Sequence, residues 1–137
     1  MIDAEKPWAS RPFVHLYFLA VFPLFGENPV GYHVLNVIWH VACSYLCFQV
    51  GLVVLGMRWS EAILTGLLFF LNVSHFRAIY WVSGVSLMMA TVSGLIAVLV
   101  SARHSGGSRV DVAMAVSLCV AVFSHEGAFV FPVPAAY

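Results

Sequence analysis

From Tyr32 to Met57 the chain runs for 26 residues without one Asp, Glu, Lys or Arg. As a helix that run is about 39 Å long, enough to cross the ~30 Å hydrocarbon core of a bilayer with some tilt. The rest of the sequence supplies little to shield it from water. Only 9% of residues are charged and 62% are hydrophobic, with a mean hydropathy of +0.96, where a soluble domain carries about a quarter charged residues. The fold class that follows is all-α, a polytopic transmembrane helical bundle. A transmembrane barrel is set aside because the apolar runs are continuous and rich in Leu, Val and Ala rather than alternating.

The same run has a pattern. At 100° per residue His33, Asn36, His40, Ser44, Cys47 and Gly51 fall in one narrow stripe. Val, Leu, Ile, Trp and Phe fill the remaining surface. The stripe is expected to face protein or a wet cavity, and the remainder lipid. Both histidines lie in the first half of the helix and so belong to one leaflet.

Taken in order, residues 1–12 form a polar N-terminal tail and not a signal peptide. Residues 13–25 are apolar but only about 20 Å long as a helix, so they suit an interfacial or re-entrant segment. Gly26 to Gly31 is a turn cluster. About four spanning helices are expected, over 32–57, 60–73, 85–101 and 111–124, with 128–137 starting a further one. Ser86, Ala90, Ser93 and Ala97 share a face, as do Ala113, Ser117, Ala121 and Ser124. Small residues of this kind let helices approach closely in lipid. The chain stops inside the apolar run Pro132–Tyr137, and a partial reading frame is expected.

The formal net charge is zero, which leaves no case for nucleic-acid binding or a polybasic lipid anchor. Cys43, Cys47 and Cys119 read as small apolar fillers rather than a disulfide framework. With the helices alternating, Arg58, Arg103 and Arg109 share one side, which the positive-inside rule assigns to the cytoplasm, and Arg77 stands on the other.

Between two apolar segments lies Asn72-Val-Ser-His-Phe-Arg-Ala-Ile-Tyr-Trp-Val-Ser-Gly84. This polar knot, with His33, Asn36, His40, His125 and Glu126, is expected to form one surface on the outer side of the membrane. Polar groups within lipid are costly unless they satisfy each other. Asn72, Tyr80 and Trp81 support the set. Arg77 with His33, His75 and His125 suits a phosphate, because guanidinium geometry matches phosphate oxygens. Glu126 is a candidate base or a counter-ion for Arg77. A divalent metal has no support from ligand spacing, so no cofactor is expected. Each of these groups taken alone also suits plain inter-helix hydrogen bonding.

Three stretches resemble a known family. They are Arg11-Pro12 with Phe25-Gly-Glu-Asn-Pro-Val-Gly-Tyr-His33, Asn36 and His40; Phe70-x-Asn72-x-x-His75 to Trp81-x-Ser-Gly84; and Ser124-His-Glu-Gly-Ala128 followed by Pro132. Their order and spacing resemble C-type integral membrane glycosyltransferases, in particular the protein O-mannosyltransferases with tetratricopeptide repeats and the bacterial polyprenyl-phosphate-sugar-dependent enzymes. The resemblance implies hexosyl or mannosyl transfer from a polyprenyl-phosphate-linked donor to a protein or glycan acceptor on the extracytoplasmic side. It implies a multi-pass protein among membrane lipid, in a bacterial inner membrane, with His33, His75 and Glu126 at the donor-side positions.

The chain departs from the family pattern where His-Pro becomes Asn72-Val73, an acid becomes Arg77 and the Lys of Ser-Lys-Glu becomes His125. The family's catalytic acidic loop has no counterpart before Arg11 beyond Asp3 and Glu5, so an incomplete chain that is inactive alone is expected. The alternative is a small non-enzymatic polytopic membrane protein with a structural or assembly role. A transporter ranks last, for lack of a broken-helix repeat.

Overall fold

The computed structural model describes residues 12–72, 79–103 and 108–124, without the side chains of 108–110. These residues form five α-helices: α1 (Pro12–Phe25), α2 (Pro29–Val53), α3 (Trp59–Leu71), α4 (Val85–Arg103) and α5 (Ser108–Ser124). A 3-10 turn, Val82–Gly84, leads into α4.

Local chemistry sets the ends. Gly26, at φ 55°, takes the left-handed conformation that closes α1. Two residues later the Oδ1 of Asn28 accepts a 3.0 Å bond from the Val30 N–H, and Pro29 sits in the first turn where its missing N–H costs nothing. Helix α2 therefore starts at Pro29, inside the stretch expected to be a turn. It ends at Val53, because Gly56 at φ 61° turns the chain back. The Met57 N–H then donates to the Gly51 carbonyl at 3.0 Å. At the start of α3 the Glu61 carboxylate accepts from the Arg58 N–H at 2.9 Å, half of a capping box.

Helices α3 and α4 each pack on α2, and α5 packs along α4. Between α2 and α4 the buried core is Cys43, Met88 and Val92, flanked by Trp39, Leu46, Phe69 and Ile79. Between α4 and α5 it is Ala90 against Ala121, a small-residue contact. Where α2 crosses α3, a Cβ on Gly66 would stand 3.0 Å from the Ser44 carbonyl oxygen and 3.2 Å from the Phe48 Cβ. Helix α1 makes lighter contacts, with α5 and with the start of α2. Tyr32 ties that corner down, its ring against Phe18 and Phe25 and its hydroxyl donating to the Gly26 carbonyl at 2.8 Å.

The outer surface is apolar. On α2 alone Val30, Val34, Val37, Ile38, Val41 and Tyr45 are exposed, and on α3 Leu64, Leu67, Leu68 and Leu71. Soluble monomers rarely show contiguous apolar surface of this kind. Two helical stretches, Pro29–Val53 and Val82–Arg103, are long and apolar enough to cross a membrane, by length and composition. Four spans are not shown. Helix α3 has 13 residues, about 20 Å, because the chain leaves helical geometry at Asn72. Helix α5 has 17 residues up to Ser124.

Four Ser and Thr hydroxyls bond the backbone of their own helices. Ser44 donates to the His40 carbonyl at 3.0 Å, Thr65 to Glu61 at 3.0 Å, Thr91 to Leu87 at 2.9 Å and Ser124 to Val120 at 2.6 Å. Each bond stays within its own helix.

Candidate functional site

The polar face of α2 turns inward. Asn36 is 1% exposed and His40 2% exposed, with Gly51 also buried; His33, Ser44 and Cys47 are partly buried. The positions follow from helical phase, since Asn36 and His40 are four residues apart and share a face.

Asn36 binds backbone. Its Nδ2 donates to the carbonyl oxygens of Ile79 at 3.2 Å and Trp81 at 2.9 Å. One amide nitrogen carries two donors, so both are used. His40 does the same for α3: its Nε2 lies 3.1 Å from the Phe70 carbonyl oxygen. A carbonyl only accepts, so Nε2 carries the proton. The imidazole is stacked on Phe69 and Phe70, with centroids 5.6 and 5.3 Å away.

His33 lies two turns of helix above His40, about 10 Å along the axis. Its ring faces Tyr80, with centroids 6.4 Å apart. His33, Val37, Ile79 and Tyr80 line a cleft of about 280 Å³. On its other side His33 also borders a second, apolar cleft of about 360 Å³ with Val30, Val34, Val37 and Ile38. Tyr80 and Trp81 are exposed. Asn72 caps α3, its N–H donating to the Phe69 carbonyl at 3.3 Å, and is exposed.

Among the described residues, then, His33, Asn36, Tyr80 and Trp81 meet at one end of the bundle, with His40 deeper on the same stripe. His75, Arg77, His125 and Glu126 lie outside the described residues. Among the described residues no group of three or more His, Cys, Asp or Glu comes together to hold a metal.

Reasoning from sequence missed a second polar contact, at the opposite end. The Arg103 Nη2 donates to the Gln49 Oε1 at 3.1 Å, and the Gln49 Nε2 donates to the Tyr45 hydroxyl at 2.7 Å. The i, i+4 spacing of Tyr45 and Gln49 in an apolar helix was the available signal. Arg58 follows the end of α2, so Arg58 and Arg103 occupy the end away from His33.

This chain is 29% identical over 104 residues to a protein O-mannosyl-transferase, Tmtc1, of Drosophila melanogaster. The match takes in 76% of this chain, and the chain spans 12% of that relative's length. It supports a glycosyltransferase-like relationship at most. No family model matches, and no solved structure matches.

Proposed function

We propose that the chain is a donor-side segment of a membrane glycosyltransferase, which moves a sugar from a polyprenyl-phosphate carrier to an acceptor on the extracytoplasmic side. The observation that carries the reading is the likeness to the O-mannosyl-transferase, in a chain whose His33 and Tyr80 border a common cleft between the apolar helix α2 and the segment that leads into α4. A lipid-linked phosphate needs that combination of an apolar wall for its chain and polar groups at headgroup depth.

In this proposal the cleft takes the donor's phosphate at His33, with His75, Arg77 and His125 as further donors to its oxygens and Glu126 as the carboxylate. The reading turns the cleft outward, and the positive-inside rule supports it, since Arg58 and Arg103 stand at the other end. Asn36 serves the donor indirectly, by holding the Ile79–Trp81 wall of the cleft, and His40 anchors α3 to the same helix.

The test is binding of a polyprenyl-phosphate-linked hexose to the full chain in lipid nanodiscs. H33A is expected to weaken binding about tenfold, the loss of one hydrogen bond to a charged group, with the unfolding midpoint unchanged. Absence of binding by the unsubstituted chain overturns the proposal.

A second reading has its own observation. Asn36 and His40 both end on backbone carbonyls of other segments, which is what a purely structural or assembly role for the stripe requires. It predicts that H33A binds the donor no differently from the unsubstituted chain.

A further inference from the structure

The remaining polar cluster is at the far end of the bundle. Arg103 is the last residue of α4, exposed, and reaches across to α2. The partner that holds it is an amide oxygen, which carries no charge and so leaves the guanidinium uncompensated by that bond. The sequence after it, His104-Ser-Gly-Gly-Ser108, contains no acid. The amide is itself oriented, because Gln49 also bonds Tyr45. An arginine with one edge pinned and the rest of its fork turned to the surface is prepared for a bidentate acceptor.

The surroundings fix what that acceptor is. Tyr45 is 59% exposed and Trp59 is 65% exposed, with the Trp59 ring edge-on to Phe48 at 5.0 Å, one residue before Gln49. An exposed Trp directly after Arg58, at the end of the bundle that Arg103 also occupies, is the arrangement of a membrane–water interface. Arg103 lies 22 positions beyond Trp81, about 33 Å along a helix, which matches the thickness between two headgroup layers.

We propose that Arg103, steered by Gln49, is a binding site for the phosphate of an anionic phospholipid headgroup in the leaflet opposite His33. It rests on α2 and α4 lying in a membrane and is independent of sugar transfer. The alternative source of the same chemistry is a soluble phosphate, and a purely structural role would leave Arg103 to stabilise the carboxyl end of α4.

The full 137-residue chain is placed in nanodiscs of equimolar phosphatidylcholine and phosphatidylglycerol, and the lipids that stay bound are counted by native mass spectrometry. Phosphatidylglycerol is expected to be retained about tenfold over phosphatidylcholine, as a bond to a charged group allows. R103Q is expected to lose the preference, with helicity and melting showing that it folds. Should R103Q fail to fold, R103K decides: it keeps the charge without the fork and is expected to lower the preference several-fold. Equal retention of the two lipids by the unsubstituted chain, or an unchanged preference in the folded variant, overturns the site. Displacement of the lipid by millimolar inorganic phosphate also overturns it, in favour of a soluble anion.

Discussion

Asn36 and Trp81, 45 positions apart, are joined by a 2.9 Å bond from the asparagine amide to the tryptophan carbonyl. The same amide nitrogen holds the Ile79 carbonyl at 3.2 Å. One side chain on α2 thereby fixes the path of the segment that enters α4, and with it the Tyr80 side of the cleft.

Asn36→Ala is expected to lower stability by about 1–2 kcal/mol, because the part-buried Ile79 carbonyl loses the amide, while the Trp81 carbonyl keeps the Gly84 N–H at 2.8 Å and alternative partners in a membrane soften the loss. The check is unfolding by sodium dodecyl sulfate in bicelles. Stability unchanged within error would show that the bond does not hold the segment.

The two buried glycines of the α2–α3 crossing should respond differently to alanine. At Gly66 the new Cβ would press on a backbone oxygen at 3.0 Å, which cannot swing aside, so a loss of about 1–3 kcal/mol is expected. At Gly51 the nearest atom is the Met57 sulfur at 3.3 Å, on a flexible side chain. The helix-propensity gain of about 0.5–1 kcal/mol then offsets the contact. Measured in the same bicelle assay, a larger loss for Gly51→Ala than for Gly66→Ala would contradict the packing described.

His40 must carry its proton on Nε2 to serve the Phe70 carbonyl. Selectively 15N-labelled His40 in bicelles is expected to show a protonated Nε2 at neutral pH. His40→Leu keeps the contacts with Phe69 and Phe70 but strands the carbonyl, at a cost of about 1–2 kcal/mol. A resonance pattern with an unprotonated Nε2 would rule out the bond.

Glu61→Ala removes the acceptor for the Arg58 N–H at the start of α3. Loss of a helix cap of this exposed kind is expected to cost about 0.5–1 kcal/mol. Hydrogen exchange should speed up in the first turn of α3 and not at its other end.

The stripe on α2 was legible because helical phase is a property of the sequence alone: polar residues at 36, 40 and 44 fall together whatever surrounds them. Their partners were not legible. Asn36 and His40 bind main-chain oxygens of Ile79, Trp81 and Phe70, and a carbonyl leaves no mark on which residue bears it. The start of α2 was misplaced because Asn-Pro carries both a turn signal and a helix-start signal, and the cap on Val30 decides between them. Of the four expected spans, two stretches are long and apolar enough to cross a membrane; α3 stays short because the polar Asn72 follows Leu71 and ends it. Of the residues expected at the site, His33, Asn36, His40, Asn72, Tyr80 and Trp81 have described positions; His75, Arg77, His125 and Glu126 do not.

The inward-bent hydroxyls of Ser44, Thr65, Thr91 and Ser124 bear on how the molecule comes together. A rod whose small alcohols are already quenched can enter oil by itself, without waiting for a neighbour to relieve it. On α2 that leaves the amides of residues 36 and 49 and the imidazole of residue 40 to recognise companions, so the choice of mates rests on three side chains and the rest is fit.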